Sequence, residues 1–218
     1  MKKKILIIDC GSNKTKDIIS IVAENDCITE RWYLFYPTID FKLKLKNRPE
    51  KVCLLKVEND EIQMKDFNES FVKSFDAIIF SGGGLLEGIQ DEIKSFFNYL
   101  LEIEIPVLGI CFGHQIIGLV YGAEIYNLGT KVSGDYKVNF LKQTTIINSS
   151  PTLNNSFFAK NHTEAIILPT EFELIANSAT CQNEMMQHET KAIYGVQFHP
   201  EVSGISGETI IQEFLKIN

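Results

Sequence analysis

The sequence predicts an α/β fold, a mainly parallel sheet flanked by helices with a partly antiparallel extension. Three observations predict it. Strand and helix signals alternate through the first half of the chain, as they must when parallel strands are joined by crossover helices. Between Ala123 and Phe198 the pattern changes to short strand-like runs with few helix signals, which suits antiparallel pairing. The chain then closes on one amphipathic helix.

Residues 4–10 read as a first buried strand, apolar from Ile5 to Ile8 and stopped by Asp9. Residues 15–24 read as a helix, with Ile18, Ile19, Val22 and Ala23 forming its apolar stripe. Residues 27–36 and 76–80 are the next strands, the latter ended by Ser81-Gly82-Gly83-Gly84. Residues 87–101 carry Ile89, Ile93, Phe96, Phe97 and Leu100 at helical spacing. A short apolar strand, 106–110, runs directly into Cys111, and a helix over 115–121 is terminated by Gly122. Beyond it, strands are expected over 137–141, 144–147, 171–177, 184–188 and 191–197. The closing helix covers 207–217, with Ile210, Ile211, Phe214 and Leu215 inward.

Residues 36–74 resist assignment. They contain Phe41-Lys42-Leu43-Lys44-Leu45-Lys46-Asn47-Arg48, whose alternation would put every lysine on one face of a strand. Two readings stay open: an edge strand guarded by lysines against sheet-to-sheet pairing, or a docking surface for an acidic partner or a phosphorylated ligand.

Composition narrows the function. At 218 residues the chain fits one domain, 1–218, with a sizeable core. Its formal charge of −7 speaks against a nucleic-acid partner, which calls for a basic face. No apolar stretch approaches the roughly 20 residues of a membrane helix. The basic N-terminus followed by an apolar run is read as a buried strand, since no small-residue cleavage site follows it. A cytoplasmic location without a membrane association is therefore expected. The five cysteines, Cys10, Cys27, Cys53, Cys111 and Cys181, are odd in number, scattered and free of CxxC pairs. That argues against a disulfide framework and against a zinc site. The triple glycine lacks the Lys-Ser/Thr of a phosphate loop, and no metal or cofactor is expected.

Only Cys111 has a context that points to chemistry. In Gly109-Ile110-Cys111-Phe112-Gly113-His114-Gln115 it stands between a buried strand and a helix, flanked by glycines that make a sharp turn sterically possible. Such a turn lifts the thiol out of the carboxyl end of the sheet, where open α/β sheets bind ligands. The helix N-terminus supplies positive potential and free N–H groups, which favour a thiolate and an oxyanion. A thiol nucleophile needs a base, and the base needs to be oriented. His199, at the end of an apolar strand in Tyr194-Gly195-Val196-Gln197-Phe198-His199-Pro200-Glu201, has a carboxylate two residues on that can return to one imidazole nitrogen and leave the other aimed at sulfur.

Cys111 in GICFGHQ followed far downstream by His199 and Glu201 in GVQFHPE resembles the class I, triad-type glutamine amidotransferases. The opening Asp9-Cys10-Gly11-Ser12, the Ser81-Gly82-Gly83-Gly84 loop and Asn161-His162-Thr163-Glu164 are similar to the glutaminase part of the GMP synthases. The resemblance implies a flavodoxin-like core and a Cys111–His199–Glu201 triad that hydrolyses glutamine through a γ-glutamyl thioester. It further implies substrate binding and an oxyanion hole from the loop Gly82-Gly83 and the backbone N–H groups of Gly83 and Phe112. Gln115 would help seat the glutamine. The ammonia would pass to a separate ATP-dependent synthetase subunit, because the chain ends at Asn218 without a synthetase domain.

Two departures bear on this. Gly84 replaces the usual proline, which loosens the loop and would slow the reaction or admit a bulkier substrate. Asn13 stands where a glutamine is usual. A stand-alone γ-glutamyl hydrolase acting on another γ-glutamyl amide is therefore the alternative, and a non-catalytic binding relative is a third. Of the remaining histidines, His114 is expected to be structural in the first turn of its helix. His188 is expected on the surface, and His162 in a loop where it faces a partner or couples two active sites.

Overall fold

In strand β1 (Lys4–Asp9), successive side chains leave for opposite faces of the sheet: Ile5 and Ile7 join one core, Leu6 and Ile8 the other, and all four are fully buried. A strand apolar on both faces belongs in the middle of a covered parallel sheet, and β1 lies there. The computed structural model describes residues 1–35, 52–54, 56–58, 61–63, 68–84, 91–147, 153 and 156–217. The Phe41–Arg48 patch lies outside these residues, as does the start of the helix expected at 87.

After β1 come α1 (Thr15–Glu24), β2 (Ile28–Phe35), β3 (Val52–Leu54), the hairpin β4 (Lys56–Glu58) and β5 (Glu61–Gln63), the short α2 (Glu69–Val72) and β6 (Ala77–Phe80). Then follow α3 (Asp91–Glu102), β7 (Val107–Ile110) and α4 (Phe112–Val120). The second half holds β8 (Ile125–Lys137), β9 (Asn139–Phe140), β10 (Phe157–Ile166), β11 (Phe172–Asn177), β12 (Met185–His188) and β13 (Ile193–Val196). A 3-10 turn at Pro200–Val202 leads into α5 (Gly204–Leu215). The nine-stranded sheet runs β3-β2-β1-β6-β7-β13-β12-β11-β9. It is parallel from β3 to β13 and antiparallel from β13 to β9. The expected mainly parallel sheet with an antiparallel extension is therefore present.

Helices α3 and α4 cover one face, where Phe96, Phe97 and Leu100 pack with Phe80 and Phe112. Helices α1 and α5 cover the other, where Ile18 and Val22 meet Ile210, Ile211 and Phe214. Each of these buried side chains contributes about 1.5–3 kcal/mol.

In secondary structure, the second half departs from the sequence expectations. The strand expected over 144–147 is a tight turn: Thr144 and Ile147 exchange backbone hydrogen bonds, and the Thr144 hydroxyl accepts from the N–H groups of Ile146 and Ile147 at 3.3 and 3.1 Å. Its two isoleucines plug the core as a pair instead of alternating. The longest strands of the second half, β8 and β10, form a separate antiparallel ribbon, and neither was expected: β8 is mostly exposed and carries Gly129 and Gly134 at positive φ, and β10 holds His162 where a loop was expected. The strand expected over 137–141 divides at Val138, with Lys137 ending β8 and Asn139 opening β9.

Candidate active site

The carboxyl ends of β1, β6, β7 and β13 converge on one rim of the sheet, each delivering a segment singled out from the sequence: Asp9-Cys10-Gly11-Ser12, Ser81-Gly82-Gly83, Cys111 and Gln197-Phe198-His199. The first two are tied together by the buried Asp9 carboxylate. It accepts from the Gly11 N–H at 2.9 Å and the Thr15 hydroxyl at 2.9 Å, and it pairs with the Arg31 guanidinium. The Ser81 hydroxyl accepts from the Cys10 N–H at 3.0 Å, and Gly83 forms an isolated bridge with Gly11.

Cys111 leaves β7 with φ 53° and ψ −100°, a strained positive-φ conformation rare for a side-chain-bearing residue. Its N–H bonds to the Val196 carbonyl at 2.8 Å, prolonging the β7–β13 ladder, while its carbonyl accepts the first helical bond from Gln115 at 3.0 Å. The flanking glycines serve a different purpose from the one expected. Neither takes up positive φ. A Cβ on Gly109 would stand 2.4 Å from the Gly113 carbonyl oxygen, and one on Gly113 would stand 2.4 Å from the Phe80 carbonyl oxygen. The strain sits on the cysteine; the glycines let α4 lie directly on the sheet backbone. Cys111 is 6% exposed, at the N-terminus of α4.

The Gly82-Gly83 loop lies over this elbow. A Cβ on Gly82 would approach the His199 imidazole to 3.1 Å, and one on Gly83 would meet the Phe112 ring at 3.1 Å and the Cys10 carbonyl oxygen at 2.6 Å. Gly82 and Gly83 therefore bring bare backbone directly against the His199 imidazole and the Phe112 ring. Gly84 has open space about it.

His199 is held by its backbone and by its ring. Its N–H bonds to the Ala159 carbonyl of β10 at 2.8 Å, and the Ser203 hydroxyl donates to the His199 carbonyl at 2.6 Å while accepting from the Ala159 N–H at 3.0 Å. Its Nδ1 meets Glu201 Oε1 at 2.8 Å, and Cys111 is close enough to act on the charge of the ring. Burial disfavours the imidazolium, but the hydrogen bonds and charges of Cys111 and Glu201 outweigh it and raise His199 from 6.5 to about 9. Glu201 Oε2 is buried without a hydrogen-bond partner among the described residues, so imidazolium is its compensating charge. A thiol, an imidazole and a carboxylate in this order can generate a thiolate, move a proton to a leaving group and return it.

The other expectations divide. His114 is fully buried in the first turn of α4, and burial lowers it to about 3. His188 is buried, not on the surface, edge-on to Tyr121 and Phe172. His162 is in β10, not in a loop; it is buried, and its Nδ1 meets the Glu164 carbonyl at 2.9 Å. Gln115 is buried, and its amide donates to the Glu164 carbonyl at 2.7 Å and to Gln197 Oε1 at 3.0 Å. Sequence reasoning did not find Gln197, Ala159 or Ser203, although Gln197 and Ser203 stand within four residues of His199 along the chain. Among the described residues no group of three His, Cys, Asp or Glu side chains could hold a metal, and Cys10, Cys27, Cys111 and Cys181 are free thiols. No described helix is long and apolar enough to cross a membrane.

This sheet, with a strained strand-to-helix turn at Cys111, is of the mainly parallel α/β class with helices on both faces. More narrowly, residues 6–217 match the family model of glutamine amidotransferase class-I, and the chain belongs to that family. It is 38% identical over 146 residues to a subunit of the glutamine-hydrolysing GMP synthase of Methanocaldococcus jannaschii, covering 66% of this chain and 75% of that protein. It is 36% identical over 167 residues to the protein of the same name from Methanosphaera stadtmanae, covering 75% and 86%. Among solved structures it is similar to a protein assigned as a GMP synthase subunit from Thermoplasma acidophilum, with a TM-score of 0.76 at 27% identity over 99% of this chain and 93% of that one. A Thermotoga maritima glutamine amidotransferase shares the fold, with a TM-score of 0.65 at 19% identity over 93% and 77%.

Proposed function

We propose that this chain hydrolyses the side-chain amide of glutamine, with Cys111 as nucleophile, His199 as base and Glu201 as the residue that orients the base, and supplies the ammonia to a separate ATP-dependent synthetase subunit. The observation that carries the reading is the strained Cys111 turn facing an imidazole that is clamped at Nδ1 by a buried carboxylate. The Methanocaldococcus and Methanosphaera relatives are named as one subunit of a glutamine-hydrolysing GMP synthase, which supports glutamine as substrate and a partner chain. The four described free thiols fit a cytoplasmic setting, and the reading takes residues 1–218 as one glutaminase domain.

The sulfur, as thiolate, attacks the amide carbon. The resulting oxyanion is met by the N–H groups of Gly83 and Phe112 in a setting of low polarity, where such donors are worth most. The carbon–nitrogen bond breaks as His199 gives its proton to the nitrogen, releasing ammonia and leaving a γ-glutamyl thioester. Water attacks the thioester while His199 takes one of its protons; the carbon–sulfur bond breaks and the proton returns to sulfur or solvent. Gln115, spent on Glu164 and Gln197, contributes to the floor of the site and not a free amide.

The test is glutamate release by the purified chain from glutamine and from a panel of γ-glutamyl amides, with Cys111→Ala as blank. Cys111-dependent release from glutamine that rises when the synthetase partner is added is expected. Faster turnover of another γ-glutamyl amide, with glutamine poor, would replace the reading with a self-sufficient hydrolase.

A further inference from the structure

Beside the triad, a second group reaches the sulfur. The Gln197 side-chain amide lies 3.7 Å from Cys111 Sγ through Nε2, and Gln197 is fully buried at the end of β13. Its orientation is fixed by its neighbours. Gln115 Nε2 lies 2.7 Å from the Glu164 carbonyl oxygen, which can only accept, so the end of Gln115 at that point is its NH₂. The same NH₂ lies 3.0 Å from Gln197, and only an oxygen can accept there. That leaves the NH₂ of Gln197 directed at the sulfur. The relay closes on β10, because the Glu164 carbonyl also meets His162 Nδ1 at 2.9 Å. The Gln197 backbone is fixed as well, its N–H bonded to the Glu184 carbonyl at 2.8 Å.

We infer that Gln197 is a further catalytic residue, a hydrogen-bond donor that stabilises the Cys111 sulfur as thiolate and as leaving group, and that Gln115 is a positioning residue that aims it. The inference rests on Cys111 being the nucleophile. Neutral thiols accept hydrogen bonds weakly, whereas a charged acceptor makes bonds roughly twice as strong. The donor therefore binds most tightly in the states where sulfur is anionic: the attacking thiolate and the sulfur departing from the thioester. A neutral donor also lowers the cost of a buried anion without competing for the proton that His199 handles. The titratable groups around the sulfur are His199 from the end of β13, Glu201 behind it, and His162 of β10, which burial and the charge of His199 push down.

The test reads the thiolate directly. Wild type, Gln197→Met and Gln115→Met are treated with iodoacetamide across pH, and Cys111 modification is followed by mass spectrometry alongside glutaminase kcat and KM. Gln197→Met, which keeps the volume and removes the donor, should move the alkylation midpoint upward by about one pH unit and slow alkylation at neutral pH up to about tenfold. Gln115→Met should give a smaller shift in the same direction, with KM nearly unchanged. A Gln197→Met profile that superposes on wild type while kcat/KM falls would reduce Gln197 to packing and overturn the inference. Should that variant not fold, the wild-type chain labelled with ¹⁵N decides. The Gln197 side-chain amide resonance should titrate with the alkylation midpoint and lose that dependence in Cys111→Ala, and a resonance indifferent to pH overturns it. Glutaminase activity that survives full alkylation of Cys111 would instead refute the nucleophile itself, whatever Gln197 does.

Discussion

Replacing Glu201 by Gln removes a charge and keeps the shape, so its consequences can be worked from the site. The Nδ1–Oε1 contact is 2.8 Å, and His199 and Glu201 are 4% and 6% exposed. A hydrogen bond to a charged group in such a place is worth about 1.5–3 kcal/mol, which corresponds to about tenfold to 150-fold in kcat/KM if the imidazolium forms during the reaction. The variant also shifts the pH profile, and the sign is fixed by the causes acting on His199. Burial lowers the imidazole, and Cys111 and Glu201 together carry it up to about 9. Removing one of the two raising partners moves it down. The imidazolium that accompanies the thiolate should then be lost at lower pH, and the alkaline limb of kcat/KM should fall below its wild-type position near pH 9. The same raised value contributes stability, of order 3 kcal/mol, that is fully present below about pH 6.5 and lost as pH rises through about 9; Glu201→Gln should flatten that slope. The assay is glutamate release between about pH 6 and 10, with urea melts near both ends of that range, which bracket the two His199 values. An alkaline limb that stays in place, with kcat/KM reduced less than about threefold, would refute the orienting role.

Gly109→Ala should destabilise the fold by about 2–3 kcal/mol, because its Cβ would stand 2.4 Å from the Gly113 carbonyl oxygen and 2.6 Å from Ile117 Cδ1; a lowered urea midpoint at unchanged slope checks this. Asp9→Asn, which breaks the buried pairing with Arg31 and loosens the link to Ser81 and Gly11, should cost about 3–5 kcal/mol. It should also lower kcat more than it raises KM, read from stability and steady-state assays on the same preparation. Lys160→Met leaves Glu184 buried beside Ser178 without its cation and should destabilise by about 3–5 kcal/mol, whereas Lys160→Met combined with Glu184→Met should recover most of it; additive losses in a thermal-melt cycle would contradict this.

What was legible in the sequence, and what was not, follows from how far each feature reaches along the chain. The buried parallel strands announce themselves locally, since both faces are apolar. The Cys111 elbow and the His199–Glu201 pair lie within short motifs whose geometry is set by neighbouring residues. The β8–β10 ribbon was not legible: β8 is mostly exposed and has no apolar alternation to mark it, and its register with β10 slips between His162 and Glu164. Nor could the contacts of Gln197 be read, because they join residues 82 and 86 positions apart.

One contact explains why two motifs so distant in sequence act together. A Cβ on Gly195 would stand 2.5 Å from His114 Nδ1, so the glycine that opens GVQFHPE is the seat of the histidine in GICFGHQ. His114 is structural, as its place in the helix suggested, but its structural work is done on the other motif. Fully buried and held neutral over the working pH range by burial, its ring fixes the separation of α4 from β13. Those are the two elements whose ends carry Cys111 and His199. A side chain on Gly195 would push β13 away from the elbow and widen the gap between Cys111 and His199 with both residues still present. The spacing between Cys111 and His199 is thus set by a glycine and a histidine packed against each other between α4 and β13.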